Sequence, residues 1–238
     1  RRKLSFLEGQ LLVERPMVLF LFEVGGTKAQ WEPLERWFAA RKYHAVFHQG
    51  HGGSGGVVAA CDRGQAKLME KKSLDKRVLG IRVRCTADGK VRRVAGMHGL
   101  NKETLASDLD EDGEPRRVCF ARQLARAVEW LEDSGGLLVG DLNRVVCKRW
   151  RASEHKLTSD DKRVRNAVGW RCPCCDGGAT CDTGVAAEFA GCEWTRWKTH
   201  KGVRGAHTAR IDFGLQFGTE RGRWREKYRL PADVGVSG

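Results

Sequence analysis

The sequence predicts an α/β fold in which two β-sheets pack together and helices flank them. Three observations lead there. Short apolar strand candidates alternate with amphipathic helix candidates along much of the chain. Several of the strand candidates end on a carboxylate or a histidine, as is common where a layered fold gathers a site at its strand ends. No internal repeat and no linker divides the 238 residues, so 1–238 reads as a single domain.

The elements follow in order. Leu4, Leu7, Leu11 and Leu12 recur at helical spacing, and Pro16 stops that helix. Met17–Phe22 is a short, continuous apolar run and reads as a fully buried strand, with Glu23 at its carboxyl end and Gly25-Gly26 behind it. Trp31, Leu34, Trp37 and Phe38 mark a second amphipathic helix; Tyr43–Phe47 returns as a strand. The stretch Gly50–Gly56 lacks the Gly-Lys-Ser/Thr ending of a phosphate loop and leads into a strand, Val57–Cys61, so it reads as a hairpin loop. Val78–Cys85 and Lys90–His98 form a hairpin joined at Asp88-Gly89. Val118, Ala121, Leu124, Ala125, Val128 and Leu131 give the best helix in the chain, closed by Gly135-Gly136. Leu137–Val139 is a buried strand running into Gly140-Asp141-Leu142-Asn143, and Arg210–Phe217 is the last clear strand candidate. Between them lies a polar, Cys-containing insertion at about 144–193 with little periodicity.

Composition narrows the function. Hydrophobic residues make up 41% and charged residues 31%, a globular balance. Lys and Arg number 43 against 30 Asp and Glu, a net charge of +13 that favours polyanionic partners, DNA or RNA above all. The longest apolar run, Met17–Phe22, is far too short to span a bilayer, and no signal peptide precedes it. The chain opens Arg1-Arg2-Lys3 without an initiator Met and reads as a piece of a longer product. Nine cysteines, an odd number, point to reduced thiols and an intracellular location, nuclear or cytoplasmic. Cys172, Cys174, Cys175, Cys181 and Cys192 carry enough thiolates for a tetrahedral Zn²⁺ site, but the usual Cys-x₂-Cys knuckle is absent and Pro173 separates two of them. Zinc and free thiols in an insertion both stay open.

Hydrolysis of a phosphodiester needs a hard cation held by carboxylates, an oriented water and donors for the charge that develops on phosphate oxygens. Glu23 suits Mg²⁺, being a carboxylate that emerges from a rigid strand. Asp141 and Asn143 are two apart on an extended segment and so share a face, where they can hold a water and donate to phosphate. His98 ends another strand and can give a proton or contact phosphate. Each residue alone has an ordinary reading: Glu23 a strand-end charge, Gly140–Asn143 a tight turn, His98 a satisfied histidine, and Arg210 with Asp212 a surface ion pair.

Taken together, Phe22-Glu23-Val24, His98-Gly-Leu-Asn101, Gly140-Asp-Leu-Asn143 and Ala209-Arg-Ile-Asp-Phe213 resemble, in order and approximate spacing, the motifs of the endonuclease/exonuclease/phosphatase superfamily. Its members include pancreatic deoxyribonuclease, abasic-site endonucleases and the endonucleases of non-LTR retrotransposons. The resemblance runs from about residue 4 to residue 218 and is poor between Asn143 and Glu193. It implies a deoxyribonuclease I-like four-layer α/β sandwich and a divalent cofactor, Mg²⁺ or Mn²⁺. It also implies roles: Glu23 as metal ligand, Asp141 positioning the water, Asn143 stabilising the transition state, His98 in a slot held by Tyr or His, and Asp212 orienting a catalytic His. Trp197 falls near an aromatic that touches nucleic acid in some members.

Two family features are missing from these residues. The opening strand with its metal-site Asn has no room before the helix at Leu4, and no Asp-His pair follows Asp212. The expectation is therefore a domain incomplete at both ends. Its function is a metal-dependent phosphodiesterase on DNA or RNA, impaired in this segment, or a non-catalytic nucleic-acid-binding module that keeps the fold. A phosphatase for lipid or small-molecule phosphates is a third reading, which the net charge disfavours.

Overall fold

A computed structural model describes residues 2–49, 56–99, 116–132, 136–142, 159–167, 196–200, 203–209 and 212–217. The elements are α1 (Arg2–Glu14), β1 (Val18–Leu21), α2 (Lys28–Ala40), β2 (Tyr43–His48), β3 (Val57–Asp62), β4 (Ala66–Asp75), β5 (Val78–Cys85) and β6 (Val91–His98). They continue with α3 (Arg116–Glu132), β7 (Gly136–Asp141), α4 (Ser159–Ala167), β8 (Arg196–His200), β9 (Val203–Ala209) and β10 (Asp212–Phe217). One sheet has the order β1-β3-β2, a second β10-β7-β6-β5-β4, and β8 and β9 form a separate ribbon. All neighbours are antiparallel except β6 and β7, which run parallel through α3.

The two larger sheets face each other across one core. Val57, Ala59 and Cys61 of β3 pack there with Leu79, Ile81 and Val83 of β5, Val94 of β6 and Leu137 of β7. Behind the first sheet, Leu11 of α1 and Phe38 of α2 meet Tyr43, Ala45, Val58 and Ala60 in a second cluster. Behind the second sheet, α3 packs across β4 to β7 with Leu124, Ala127, Val128 and Leu131 buried, and α4 packs on α3. The layers are therefore helix, sheet, sheet and helix, the architecture expected. Among the described residues no helix is long and apolar enough to cross a membrane.

Periodicity accounts for this order. β3 alternates between the two clusters, Val57, Ala59 and Cys61 on one side and Val58 and Ala60 on the other, so it is buried throughout. β1 splits likewise, with Val18 and Phe20 toward the second sheet and Leu19 and Leu21 toward the helices. It is only half-buried, however, because it lies at the edge of its sheet, and the fully buried strand is β3. The hairpin at Asp88-Gly89 forms as expected: Gly89 adopts φ +67°, and Asp88 accepts a bond from the Lys90 backbone at 3.0 Å.

Three readings need correction. Gly136 does not cap α3; it opens β7, where a Cβ would sit 2.5 Å from the Arg93 carbonyl. β4 is a ten-residue strand that the sequence did not advertise. α4 lies within the stretch read as having little periodicity; β8 and β9 were not read from the sequence, whereas the strand read last, Arg210–Phe217, forms as β10.

Candidate active site

Three strands lose their apolar filling at the same end of the core. On β6 the inward stripe Val94 and Gly96 ends in His98; on β7 Leu137 and Val139 end in Asp141; on β1 Phe20 and Phe22 lead to Glu23. Gly96 leaves space for Phe20, whose Cδ1 lies 2.2 Å from where a Cβ would be. In register, His98 pairs with Asp141, and Asp141 pairs with Asp212 on β10. Residues distant in sequence are thus adjacent across three strands, spaced about 4.8 Å apart as neighbouring strands are.

The β6–β7 seam is unusually close. A Cβ on Gly140 would lie 1.9 Å from the Met97 carbonyl oxygen, so no other residue fits. The same seam carries a Gly99 N–H to Asp141 carbonyl bond of 2.6 Å. The glycine of the Gly140–Asn143 motif therefore has a steric cause: it lets the strand bearing His98 and the strand bearing Asp141 approach.

Glu23 comes from the other sheet. Its backbone is left-handed, φ +58°, a conformation that costs a non-glycine residue about 1–2 kcal/mol. The surroundings hold it there. The Val24 N–H bonds the Gly56 carbonyl at 3.0 Å, and Trp31 Nε1 donates to the Gly25 carbonyl at 3.1 Å. A Cβ on Gly56 would meet the Val24 carbonyl at 2.3 Å, so Gly56 is required as well. Arg15 and Lys42 are left-handed too, at turns away from this end, so the conformation marks a fixed turn and gains meaning here only from what Glu23 faces. The Glu23 carboxylate is 74% exposed, and its Oε1 lies 3.4 Å from His98 Nε2.

His98 links the two sheets. It is 6% exposed, beside the Phe22 ring at 6.5 Å. Arg77 Nη1 lies 3.1 Å from His98 Nδ1. A guanidinium only donates, so Nδ1 accepts, and the proton of the neutral ring sits on Nε2, facing Glu23. Burial, then the Arg77 charge, hold the His98 pKa below its usual value, with Glu23 pulling weakly the other way. The ring is thereby set as a neutral donor at the rim.

The structure thus brings Glu23, His98, Asp141 and the backbone of Asp212 to one end of the core. Asn143, Asn101 and Arg210 lie outside the described residues, as do the cysteines from Cys172 to Cys192. Trp197 lies on β8, paired with His207 in the separate ribbon. Arg77 is the residue that sequence reasoning missed. Its signal was the Asp88-Gly89 hairpin, whose register sets Val78 against Met97 and so Arg77 beside His98. Among the described residues no group of three or more His, Cys, Asp or Glu side chains clusters as a ready-made metal cage.

No family model matches the chain, and no curated protein matches its sequence. Its fold does match solved structures. An AP endonuclease from Archaeoglobus fulgidus superposes with a TM-score of 0.60 at 17% identity, over 90% of this chain and 80% of that one. A Neisseria 3′ phosphatase bound to a product DNA hairpin gives 0.59 at 16%, over 91% and 82%. The human nocturnin catalytic domain gives 0.54 at 13%, over 90% and 74%. These are endonuclease/exonuclease/phosphatase structures, and the chain shares their deoxyribonuclease I-like fold.

Proposed function

We propose that the chain is a nucleic-acid-processing hydrolase, a divalent-metal-dependent phosphodiesterase acting on DNA or RNA. One observation carries the proposal: Glu23 of one sheet lies 3.4 Å from His98 of the other, and at that end the strand register sets His98 beside Asp141 and Asp141 beside the backbone of Asp212. Packing alone does not call for an acid in a left-handed turn, a buried histidine and two paired aspartates at one end. The fold neighbours support the class, since an AP endonuclease and a DNA-bound 3′ phosphatase share this architecture. The net charge of +13 supports a polyanionic substrate.

Glu23 fits a hard cation. Mg²⁺ is held by one or two carboxylates plus water and substrate phosphate, and Glu23 presents an exposed carboxylate on a fixed backbone. Such an ion would neutralise charge on the phosphate and lower the pKa of a water. The chain's own residues do the rest. His98 donates from Nε2 toward a phosphate oxygen or a leaving oxygen, Arg77 keeps that tautomer, and Asp141 orients the attacking water. Asn143 and Asp212 complete the set by their place in the motifs. No histidine follows His207 in the sequence, so the group that Asp212 would orient is not among these residues. The rate of this chain is expected to sit about two to four powers of ten below that of an equipped enzyme. The odd number of cysteines, nine, supports a reducing, intracellular location, nuclear or cytoplasmic.

The test joins metal and cleavage. Mn²⁺ titrated by calorimetry should bind the chain, and Glu23→Gln should weaken it at least tenfold. A supercoiled plasmid should be nicked slowly with Mg²⁺ and not at all by Asp141→Ala. Metal affinity indifferent to Glu23→Gln would refute the site, whereas DNA binding without any Asp141-dependent nicking would favour the non-catalytic module.

A further inference from the structure

The turn that carries Arg77 is short and poorly favoured by its own sequence. Asp75 of β4 pairs with Val78 of β5, so Lys76 and Arg77 alone make the connection. Two-residue hairpin turns favour positive φ, and hence Gly or Asn, at the connecting positions. Neither Lys76 nor Arg77 has a positive φ, and the register shifts between Ser73 and Asp75 instead. A turn of this kind needs contacts from outside the hairpin to keep one shape.

Those contacts converge on Asp75. Its side chain is 3% exposed, and both carboxylate oxygens are engaged. Oδ1 accepts the Lys76 backbone N–H at 2.7 Å and Gln123 Nε2 at 3.1 Å. Oδ2 accepts Arg122 Nε at 3.3 Å and Arg126 Nη1 at 3.2 Å. Positions 122, 123 and 126 are neighbours on one face of α3. Arg126 Nη1 also donates to the Leu74 carbonyl at 3.2 Å, and His48 Nε2 of β2 donates to the Asp75 carbonyl at 2.7 Å. The last two residues of β4 are thus pinned by α3 and by the first sheet.

At the other side of the turn, Arg77 meets His98 twice. The His98 N–H donates to the Arg77 carbonyl at 3.1 Å, and Arg77 Nη1 lies 3.1 Å from His98 Nδ1. The first bond sets the Arg77 backbone against β6; the second sets which ring nitrogen carries the proton. Asp75 and Arg77 are two residues apart, so fixing the one fixes where the other starts. A buried carboxylate with its arginines is often no better for stability than apolar residues of similar size. Helix α3 already packs on the sheet through Leu124, Ala127, Val128 and Leu131. The place of Asp75, one tight turn from the histidine, gives it another use.

We propose that Asp75 is a positioning residue for His98: it holds the Lys76-Arg77 turn to α3 and β2, keeps the Arg77 guanidinium on Nδ1, and so leaves the ring proton on Nε2, toward Glu23. Its catalytic use rests on the hydrolytic reading of Glu23, His98 and Asp141 above, and it brings α3 into the working of that site.

The ring itself gives the readout. The full chain, carrying ¹⁵N-labelled histidine and free of metal and nucleic acid, is followed by long-range proton–nitrogen spectra at about pH 8, above the usual histidine pKa. A proton held on Nε2 separates the two ring nitrogens widely in chemical shift, and a mixture of tautomers draws them together. His98→Gln identifies the signals by their loss. The parent should show the Nε2–H form. Asp75→Asn should draw the two shifts together, and Arg77→Gln should do so at least as far. Arg126→Gln takes one donor from a half-exposed position and leaves the others. It should move the signals the same way by less, and it stands in if Asp75→Asn does not fold. Asp62→Asn is the control. It too removes a buried carboxylate that accepts from an arginine, but one paired with Tyr43, at the end of β2 far from His48; His98 should not respond. In plasmid nicking with Mg²⁺, Asp75→Asn should lower the maximal rate about tenfold at an unchanged half-saturating DNA concentration. His98 signals unmoved by Asp75→Asn, or by Arg126→Gln in its stead, or moved equally by Asp62→Asn, would overturn the positioning role and leave the hydrolytic reading intact. Ring shifts as expected in a chain that never nicks DNA would overturn the hydrolytic reading, and with it the catalytic use of the contact.

Discussion

Replacing Gly140 by alanine should damage stability and site together. A Cβ there would lie 1.9 Å from the Met97 carbonyl oxygen, and moving it out to the 3.0 Å that real Cβ contacts respect requires a shift of about 1.1 Å. The Met97 oxygen is backbone and a Cβ is fixed directly to the Gly140 Cα, so no side chain can swing away; the β6–β7 seam itself must open. Overfilling a packed site costs about 1–3 kcal/mol, and each stretched ladder bond about 1 more, so the total is roughly 2–4 kcal/mol. In urea the midpoint should fall by about 1 M, for a slope of roughly 2–3 kcal/mol/M. The same shift separates His98 from Asp141, and a misplacement of about 1 Å typically costs on the order of 10²-fold in rate. Gly89→Ala is the control. Gly89 has φ +67° but no heavy atom within 4 Å of a new Cβ, so alanine there adds only conformational strain, about 1 kcal/mol, far from the site. Denaturation curves and plasmid nicking read both variants. If Gly140→Ala proves no more harmful than Gly89→Ala, the steric account of the motif glycine is wrong.

Asp62 gives a pH dependence. It is fully buried, and burial alone would raise its pKa, but bonds from Gln65, the Gly64 N–H and Arg15 outweigh that and hold it below the usual carboxylate range. A folded pKa below the unfolded value, about 3.9, adds stability above that pH and loses it as pH falls through the folded pKa. Asp62→Asn should therefore be less stable at pH 7 and lose less than the parent between pH 5 and pH 2, as read from thermal midpoints. The Cys61 thiol is pushed up to about 12 by burial, so brief iodoacetamide treatment at pH 8 should leave it unmodified by mass spectrometry until denaturant is added. Phe20→Ala empties the hollow above Gly96 and, from a half-buried position, should cost about 2–3 kcal/mol by urea denaturation.

The layered fold was legible because its strands carry one-sided stripes. Leu79, Ile81 and Val83 alternate, Val94 sits between Arg93 and Ala95, and Asp88-Gly89 fixes a register. β4 was hidden for the converse reason. It is an edge strand in which Lys67, Met69, Lys71, Lys72 and Ser73 are exposed, and register shifts between Leu68 and Glu70 and between Ser73 and Asp75 break its alternation. Charged edges deter pairing with other chains and erase the pattern that reveals strands. Glu23, His98 and Asp141 were legible because an apolar run that ends abruptly in a titratable residue marks the rim of a core. Arg77 and the Asp75 cluster were not, because a charged turn such as Asp75-Lys76-Arg77 has the same composition whether it is solvated or holds a histidine and two arginines in place. Only tertiary contacts separate the two cases, with β6 for Arg77 and with α3 for Asp75.

The parallel pairing of β6 with β7 has a consequence for the order of assembly. β4, β5 and β6 are joined by tight turns and can pair while their neighbours in sequence are still close. His98 meets Asp141 only after residues 99–135 are looped out, and Asp141 meets Asp212 across a longer separation still. Closing such loops loses more chain entropy than closing a hairpin, and contacts between distant residues slow folding. On the ribosome the deficit is greater, since Glu23 and His98 emerge well before the strands that complete their surroundings. The meander therefore exists before the candidate site does, and chains halted before β7 would display ordered strands with no Asp141 beside His98. Arrival of the final strand, more than formation of any helix or hairpin, is the event that completes the surroundings of His98.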